Sequence, residues 1–243
     1  MQTADSQLQE KVAVITGGSG AIGGAIMRAL EDAGARAISL DITSPKGQVE
    51  YIKCDVADDT SVQSAVREAY GRGGRLDIAI HAAGISRDAV TWKLTPADWD
   101  QILAINLRGA YSLCRHAIPL MRGGGIGGRI IFIGSINGSR GKFGTAAYSA
   151  SKAGLVGLAK TIARETGRFG VLVNVIEPGW VRTPLTEVVP KAVQDAALAE
   201  SLVGEFLSPD DVANAVLYLC GPGGAKITGQ ILRVDGGQFL GPT

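Results

Sequence analysis

Lys11-Val-Ala-Val-Ile-Thr16-Gly17-Gly18-Ser19-Gly20-Ala21-Ile22-Gly23 decides the fold. The first six residues form a short apolar, β-branched run, which reads as a buried strand. Four small residues follow, and Ala21 then opens an apolar pattern at helical spacing that stops at Gly34. A glycine-rich turn between a strand and a helix brings bare backbone N–H groups to the positive end of the helix dipole. The pyrophosphate of a dinucleotide would meet Gly17, Ser19, Gly20, Ala21, Ile22 and Gly23 there.

The pattern repeats along the chain. Strands are expected at Ala35–Leu40, Val49–Cys54, Leu76–His81, Arg129–Ile133, Val171–Ile176 and Gln230–Val234. Helices are expected at Asp58–Tyr70, from Thr95 to about Arg122, at Ala147–Arg168 and from Ser208 to Leu219. Alternation of this kind means a parallel sheet with helices on both faces. The reading is a single-domain, doubly wound α/β fold, a Rossmann fold, over residues 1–243. Its ligand site belongs at the carboxyl ends of the strands. The irregular stretch 181–207 reads as a lid over that site.

Bulk composition removes several classes. The net charge of +1 offers no electrostatic case for nucleic acid or an anionic membrane. No apolar run spans a bilayer, and the first ten residues are polar without a signal-peptide core. A soluble, cytoplasmic protein is expected. Cys54, Cys114 and Cys220 have no metal spacing, and His81 and His116 stand alone, so no metal site is expected.

Chemistry concentrates in four places. Asp41 ends the second strand, where a carboxylate accepts from both ribose hydroxyls of an adenosine and repels a 2′-phosphate. No base lies in the glycine turn and the nearest beyond Asp41 is Lys46, so NAD is expected, with NADP less favoured. Tyr148 and Lys152, at i and i+4 on a helix, share one face. A free phenol has a pKa of about 10, and a neighbouring ammonium lowers it. Bringing it to about 7 takes roughly 4 kcal/mol. Ser135, just past a strand end, can hold a substrate oxygen beside the phenol. Asn106 interrupts an apolar helical stretch, and a buried amide there wants partners.

Together these residues resemble the short, single-domain branch of the short-chain dehydrogenase/reductase family, over Lys11 to Gly237. Thr16-Gly17-x-x-x-Ala21-x-Gly23 is similar to that family's cofactor loop, and Asp55-Val56 to its adenine-contacting pair. Ala83-Gly84 matches its fourth-strand motif, and Asn106, Ser135, Tyr148 and Lys152 match its catalytic four. Pro178-Gly179, Val181 and Thr183 resemble the nicotinamide-gripping segment. The resemblance implies that Tyr148 exchanges the substrate proton while Ser135 orients the oxygen. It implies that Lys152 lowers the phenol's pKa and binds ribose, and that Asn106 holds a water relaying protons from Lys152. It also implies a homotetramer, with the helices bearing Asn106 and Tyr148 paired across a two-fold axis. This chain departs from the family at Ala21, at His81-Ala82 in place of an Asn pair, and at Gly204-Glu205.

Ile85, Ile136, Asn137, Phe143, Trp180, Leu185 and Val188 are the expected pocket lining, mostly apolar, which suits a moderately hydrophobic ketone or secondary alcohol. Reductases of 3-oxoacyl thioesters share the pattern and remain the alternative. Such an enzyme needs a basic patch for its acidic carrier protein, with Arg122, Arg129 and Arg168 as candidates. A non-catalytic NAD sensor would not need the four intact side chains, and a nucleotide-sugar epimerase needs a larger C-terminal region.

Overall fold

A computed structural model describes residues 7–45, 47–125 and 127–241. Lys46 lies outside them. Seven strands form one parallel sheet in the order β3-β2-β1-β4-β5-β6-β7. They are β1 (Val12–Thr16), β2 (Arg36–Asp41), β3 (Tyr51–Lys53), β4 (Ile78–His81), β5 (Gly128–Ile133), β6 (Val171–Pro178) and β7 (Ile231–Val234). Every residue of β1 and β4 is buried, as befits strands covered on both faces. The order reverses between β1 and β4, which places a crevice beyond their carboxyl ends.

Helices α1 (Ala21–Asp32) and α9 (Pro209–Cys220) cover one face. Helices α2 (Asp59–Gly73), α4 (Gly109–Gly123) and α6 (Ala146–Thr166) cover the other. Their starts follow local chemistry. The Thr95 hydroxyl accepts from the Asp98 N–H at 3.1 Å ahead of Pro96, opening α3 (Pro96–Leu103). Ser208 and Asp211 close a capping box around Pro209. Asp58 caps α2, and Gly74 ends it in the left-handed region.

Three features differ from the sequence reading. The helix expected from Thr95 is interrupted by a π turn, Ala104–Arg108, between α3 and α4. A five-residue helix, α5 (Ile136–Arg140), follows β5. It contains Asn, Gly and Ser and carries no periodicity to read. The stretch expected to be a lid holds α7 (Pro184–Glu187) and α8 (Lys191–Ala199). Its two ends are tied to each other, Arg182 N donating to Leu207 O at 2.8 Å, and Leu202 N donates to Gly236 O at 2.8 Å just past β7. These backbone bonds anchor the segment without the family's usual residues at Gly204-Glu205. Among the described residues no helix is long and apolar enough to cross a membrane, and no cluster of metal-ligating groups exists.

Candidate active site

The glycine turn emerges from β1 and folds under α1. Gly17 has a φ of +71°. A Cβ on Gly23 would stand 2.1 Å from the Gly17 carbonyl, so only glycine permits this turn. A cavity of about 370 Å³ opens beside it, lined by Gly17, Ser19, Gly20, Asp41, Asp55, Val56, Ala83, Gly84 and Ile85. Gly20 caps α1, and Ala21, Ile22 and Gly23 form its first turn. Asp41 Oδ2 accepts from Ser19 N at 3.1 Å, and its Oδ1 accepts from Thr43 N at 3.1 Å. The carboxylate is thus fixed at the end of the cavity, and Asp55 is likewise held by Ala57 N at 2.9 Å. A dinucleotide fits this cradle: bare backbone at the turn, one oriented carboxylate beyond it.

Gly84 links the cavity to the second cluster. A Cβ there would lie 3.4 Å from both Lys152 Nζ and Asn106 Oδ1. Lys152 is buried, and its Nζ donates to Ile133 O at 2.8 Å. Burial pushes the ammonium's pKa down to about 8. It lies 5.6 Å from the Tyr148 ring centroid. Burial raises the Tyr148 phenol above its ordinary value; the Ser135 hydroxyl draws it back and the Asp88 charge pushes it further up. The lowering expected from Lys152 is therefore not the dominant effect in this arrangement. Ser135 caps α5, its Oγ accepting from Asn137 N at 3.2 Å.

Asn106 sits in the π turn, wholly buried. Its Nδ2 donates to Ile85 O at 3.0 Å and to Ser151 Oγ at 3.1 Å, and its Oδ1 accepts from Ile85 N at 2.9 Å. Both amide protons are committed to protein. The side chain braces the loop after β4 against α6.

The rest of the expected site divides. Pro178 ends β6, and Gly179 N donates to Val234 O at 2.9 Å. Val181 is buried, bridged to Leu207, and Thr183 N donates to Thr186 Oγ1 at 2.8 Å. Trp180 stacks on Phe206 with ring centroids 5.4 Å apart, and the Lys142 ammonium lies 4.9 Å from the Trp180 centroid. Asn137 is half-buried. Ile136, next to Ser135, is 2% exposed. Phe143 and Val188 are 86% and 81% exposed, apolar side chains facing solvent. The Leu185 side chain lies outside the described residues.

Several contributors escaped the sequence reading. Ser151 receives the Asn106 amide, and buried Gln238 accepts from Trp180 N at 2.8 Å through Oε1. Glu177 is fully buried at the end of β6. A lone carboxylate closing the apolar run Val171–Ile176, with Arg233 on the last strand, was the available signal.

Comparison with known proteins gives this arrangement a family. Residues 18–238 match the family model described as enoyl-(acyl carrier protein) reductase. The 3-oxoacyl-[acyl-carrier-protein] reductase of Thermotoga maritima is 32% identical, over 96% of this chain and 100% of that protein. The chain belongs to the short-chain dehydrogenase/reductase family. The acetoacetyl-CoA reductase of a Synechocystis species is 37% identical, over 94% and 96% of the two chains. The aldohexose dehydrogenase of Thermoplasma acidophilum, solved without ligand, superposes with a TM-score of 0.90 at 28% identity, over 97% and 96% of the two chains. As a member of this family the chain is an oxidoreductase that uses a nicotinamide dinucleotide.

Proposed function

We propose that this short-chain dehydrogenase/reductase interconverts a secondary alcohol and a ketone with NAD(H), and that Tyr148 carries the proton. The observation that supports this most is a chain of neighbours: Lys152 Nζ reaches Gly84, in the lining of the cavity that begins at Gly17 and Asp41, lies 5.6 Å from the Tyr148 ring, and the Tyr148 phenol meets the Ser135 hydroxyl. When bound, the nicotinamide supplies or accepts the hydride. The Tyr148 hydroxyl gives its proton to the carbonyl oxygen, or takes one from the alcohol. Ser135 donates to the same oxygen and keeps it within reach of the phenol. Lys152 spends one of its three N–H donors on Ile133 O, and the others are available for a ribose. Pro178, Gly179, Val181 and Thr183 would border the nicotinamide. Asn106 keeps the loop bearing Ile85 closed over the cluster.

Asp41 favours NAD. Its fixed carboxylate would accept from ribose hydroxyls and oppose a 2′-phosphate. The apolar side chains Phe143, Trp180 and Val188 suit a ketone of moderate hydrophobicity.

Reduction of a 3-oxoacyl thioester is a second reading, supported by the likeness to a 3-oxoacyl-[acyl-carrier-protein] reductase and an acetoacetyl-CoA reductase. Arg122 and Arg168 also bracket Phe169, with guanidinium carbons 4.0 and 4.6 Å from its centroid. That makes a compact basic spot, as docking of an acidic carrier would require. An NADH-oxidation screen over simple ketones, acetoacetyl-CoA and carrier-bound 3-oxoacyl thioesters, with NADPH in parallel, separates the readings. Faster turnover of simple ketones is expected. A preference for carrier-bound thioesters, lost in Arg168→Glu, favours the second.

A further inference from the structure

Helix α5 has five residues, too few to hold its own shape in water. Its position must be imposed by neighbours, and Ser135 at its start goes wherever it goes. One neighbour is α6: a Cβ on Gly138 would lie 2.9 Å from the backbone at Lys152 and Ala153, so the two helices meet without a side chain between them. Arg140 at the far end donates to Gln238 O at 3.0 Å and pairs with Glu200 at 2.8 Å.

The remaining tie is Glu177. It faces Arg233 directly across the β6–β7 ladder, and Arg233 donates to its Oε2 at 3.2 and 3.1 Å. Arg233 is itself held over the Phe239 ring, 3.6 Å from the centroid. A carboxylate with no exposure is costly unless both oxygens are satisfied. Stitching β6 to β7 uses only Oε2. The other oxygen leaves the sheet and accepts from Ser139 Oγ on α5 at 2.6 Å. Ser139 is one helical turn beyond Ser135, so this bond fixes the height of the turn over the strand ends.

We propose that Glu177 is a positioning residue for Ser135: its buried carboxylate, oriented by Arg233, fastens α5 through Ser139 and sets the Ser135 hydroxyl against Tyr148. This rests on the reading of Tyr148 and Ser135 given above. Loss of the tie would let Ser135 drift, and the phenol would lose the partner that restrains its pKa.

Ser139→Ala tests it gently, since the Glu177–Arg233 pair stays intact. Two readouts apply: turnover of acetoacetyl-CoA with NADH, and ultraviolet titration of Tyr148 as the difference between each variant and its Tyr148→Phe counterpart. Ser139→Ala is expected to lower kcat about tenfold, a positional error well under an ångström. NADH affinity should hold, and the phenol should titrate at higher pH. Ser139→Thr, which keeps a hydroxyl, should restore most of both. Wild-type kcat and an unmoved phenol titration in Ser139→Ala would overturn the proposal, as would a loss that Ser139→Thr does not recover. Tyr148→Phe in the same series distinguishes the failures. If it is inactive while Ser139→Ala behaves as wild type, only the Glu177 proposal falls. If it turns over normally, the Tyr148 reading falls and takes this proposal with it.

Discussion

At the scale of single residues, the role proposed for Asp41 rests on its place at a strand end after a glycine turn. The structure adds how the carboxylate is held, by Ser19 N and Thr43 N. Asp41→Ala should weaken NADH binding by about tenfold, the worth of a charge-assisted pair of bonds at 1.5–3 kcal/mol less what water recovers. It should also narrow the gap to NADPH, because repulsion of the 2′-phosphate goes with it. Equilibrium titration by NADH and NADPH fluorescence checks this. Equal affinities in the wild type would remove Asp41 from the account. Asn106 was legible as a buried amide that needs partners, but sequence cannot say which. Its bonds go to a backbone 21 residues away and to a serine on another helix, both long-range consequences of folding.

At the scale of elements, the strands and the long helices followed from apolar runs, caps and glycine stops. The helices that sequence could not supply are those stabilised from outside. Helix α5 exists because of Gly138, Arg140 and Ser139, and the π turn at Ala104–Arg108 has no compositional mark. His81 shows how elements are joined where the chain leaves the family's pattern. Its Nδ1 is 2.9 Å from Thr16 Oγ1, joining the ends of β1 and β4. Its Nε2 is sealed against the backbone carbonyls of Ile105 and Asn106 without meeting either in hydrogen-bond geometry. Burial, aided by the Lys152 charge, pushes the imidazole down to about 3. The unfolded chain binds this proton below about 6.5 and the folded chain does not. The contribution of neutral His81 is therefore complete above about 6.5 and is lost as pH falls toward 3. Between pH 6.5 and 5, before carboxylates titrate, stability should fall by up to about 1.4 kcal/mol per pH unit from this group. Urea melts across that window should show the slope, and His81→Asn should flatten it. An equal slope in His81→Asn would place the proton elsewhere.

At the scale of the whole molecule, the parallel, doubly wound sheet was implied by alternation, while the strand order and its reversal between β1 and β4 came from the structure. Assembly is less legible, because a surface that pairs and a surface that faces water can carry the same residues. A groove of about 940 Å³ lies between α3, α4 and α6, lined by Leu103, Leu107, Tyr111, Gly157 and Leu158. We expect a second copy to cover it within a homotetramer. Gly157 has open space around its Cβ position, so Gly157→Arg should fold, gain helix propensity and split the assembly. Sedimentation velocity reads both states, and a wild-type monomer at micromolar concentration would refute the pairing. Everything else in the account converges on one side chain at the carboxyl end of the sheet, Tyr148, whose oxygen is the only atom removed in Tyr148→Phe. Single-turnover oxidation of enzyme-bound NADH by a ketone, followed in the wild type and in Tyr148→Phe, tests that oxygen directly. The account predicts a rate lower by about a thousandfold or more, with NADH affinity and Tm nearly unchanged. A variant that reduces the ketone at the wild-type rate would contradict it.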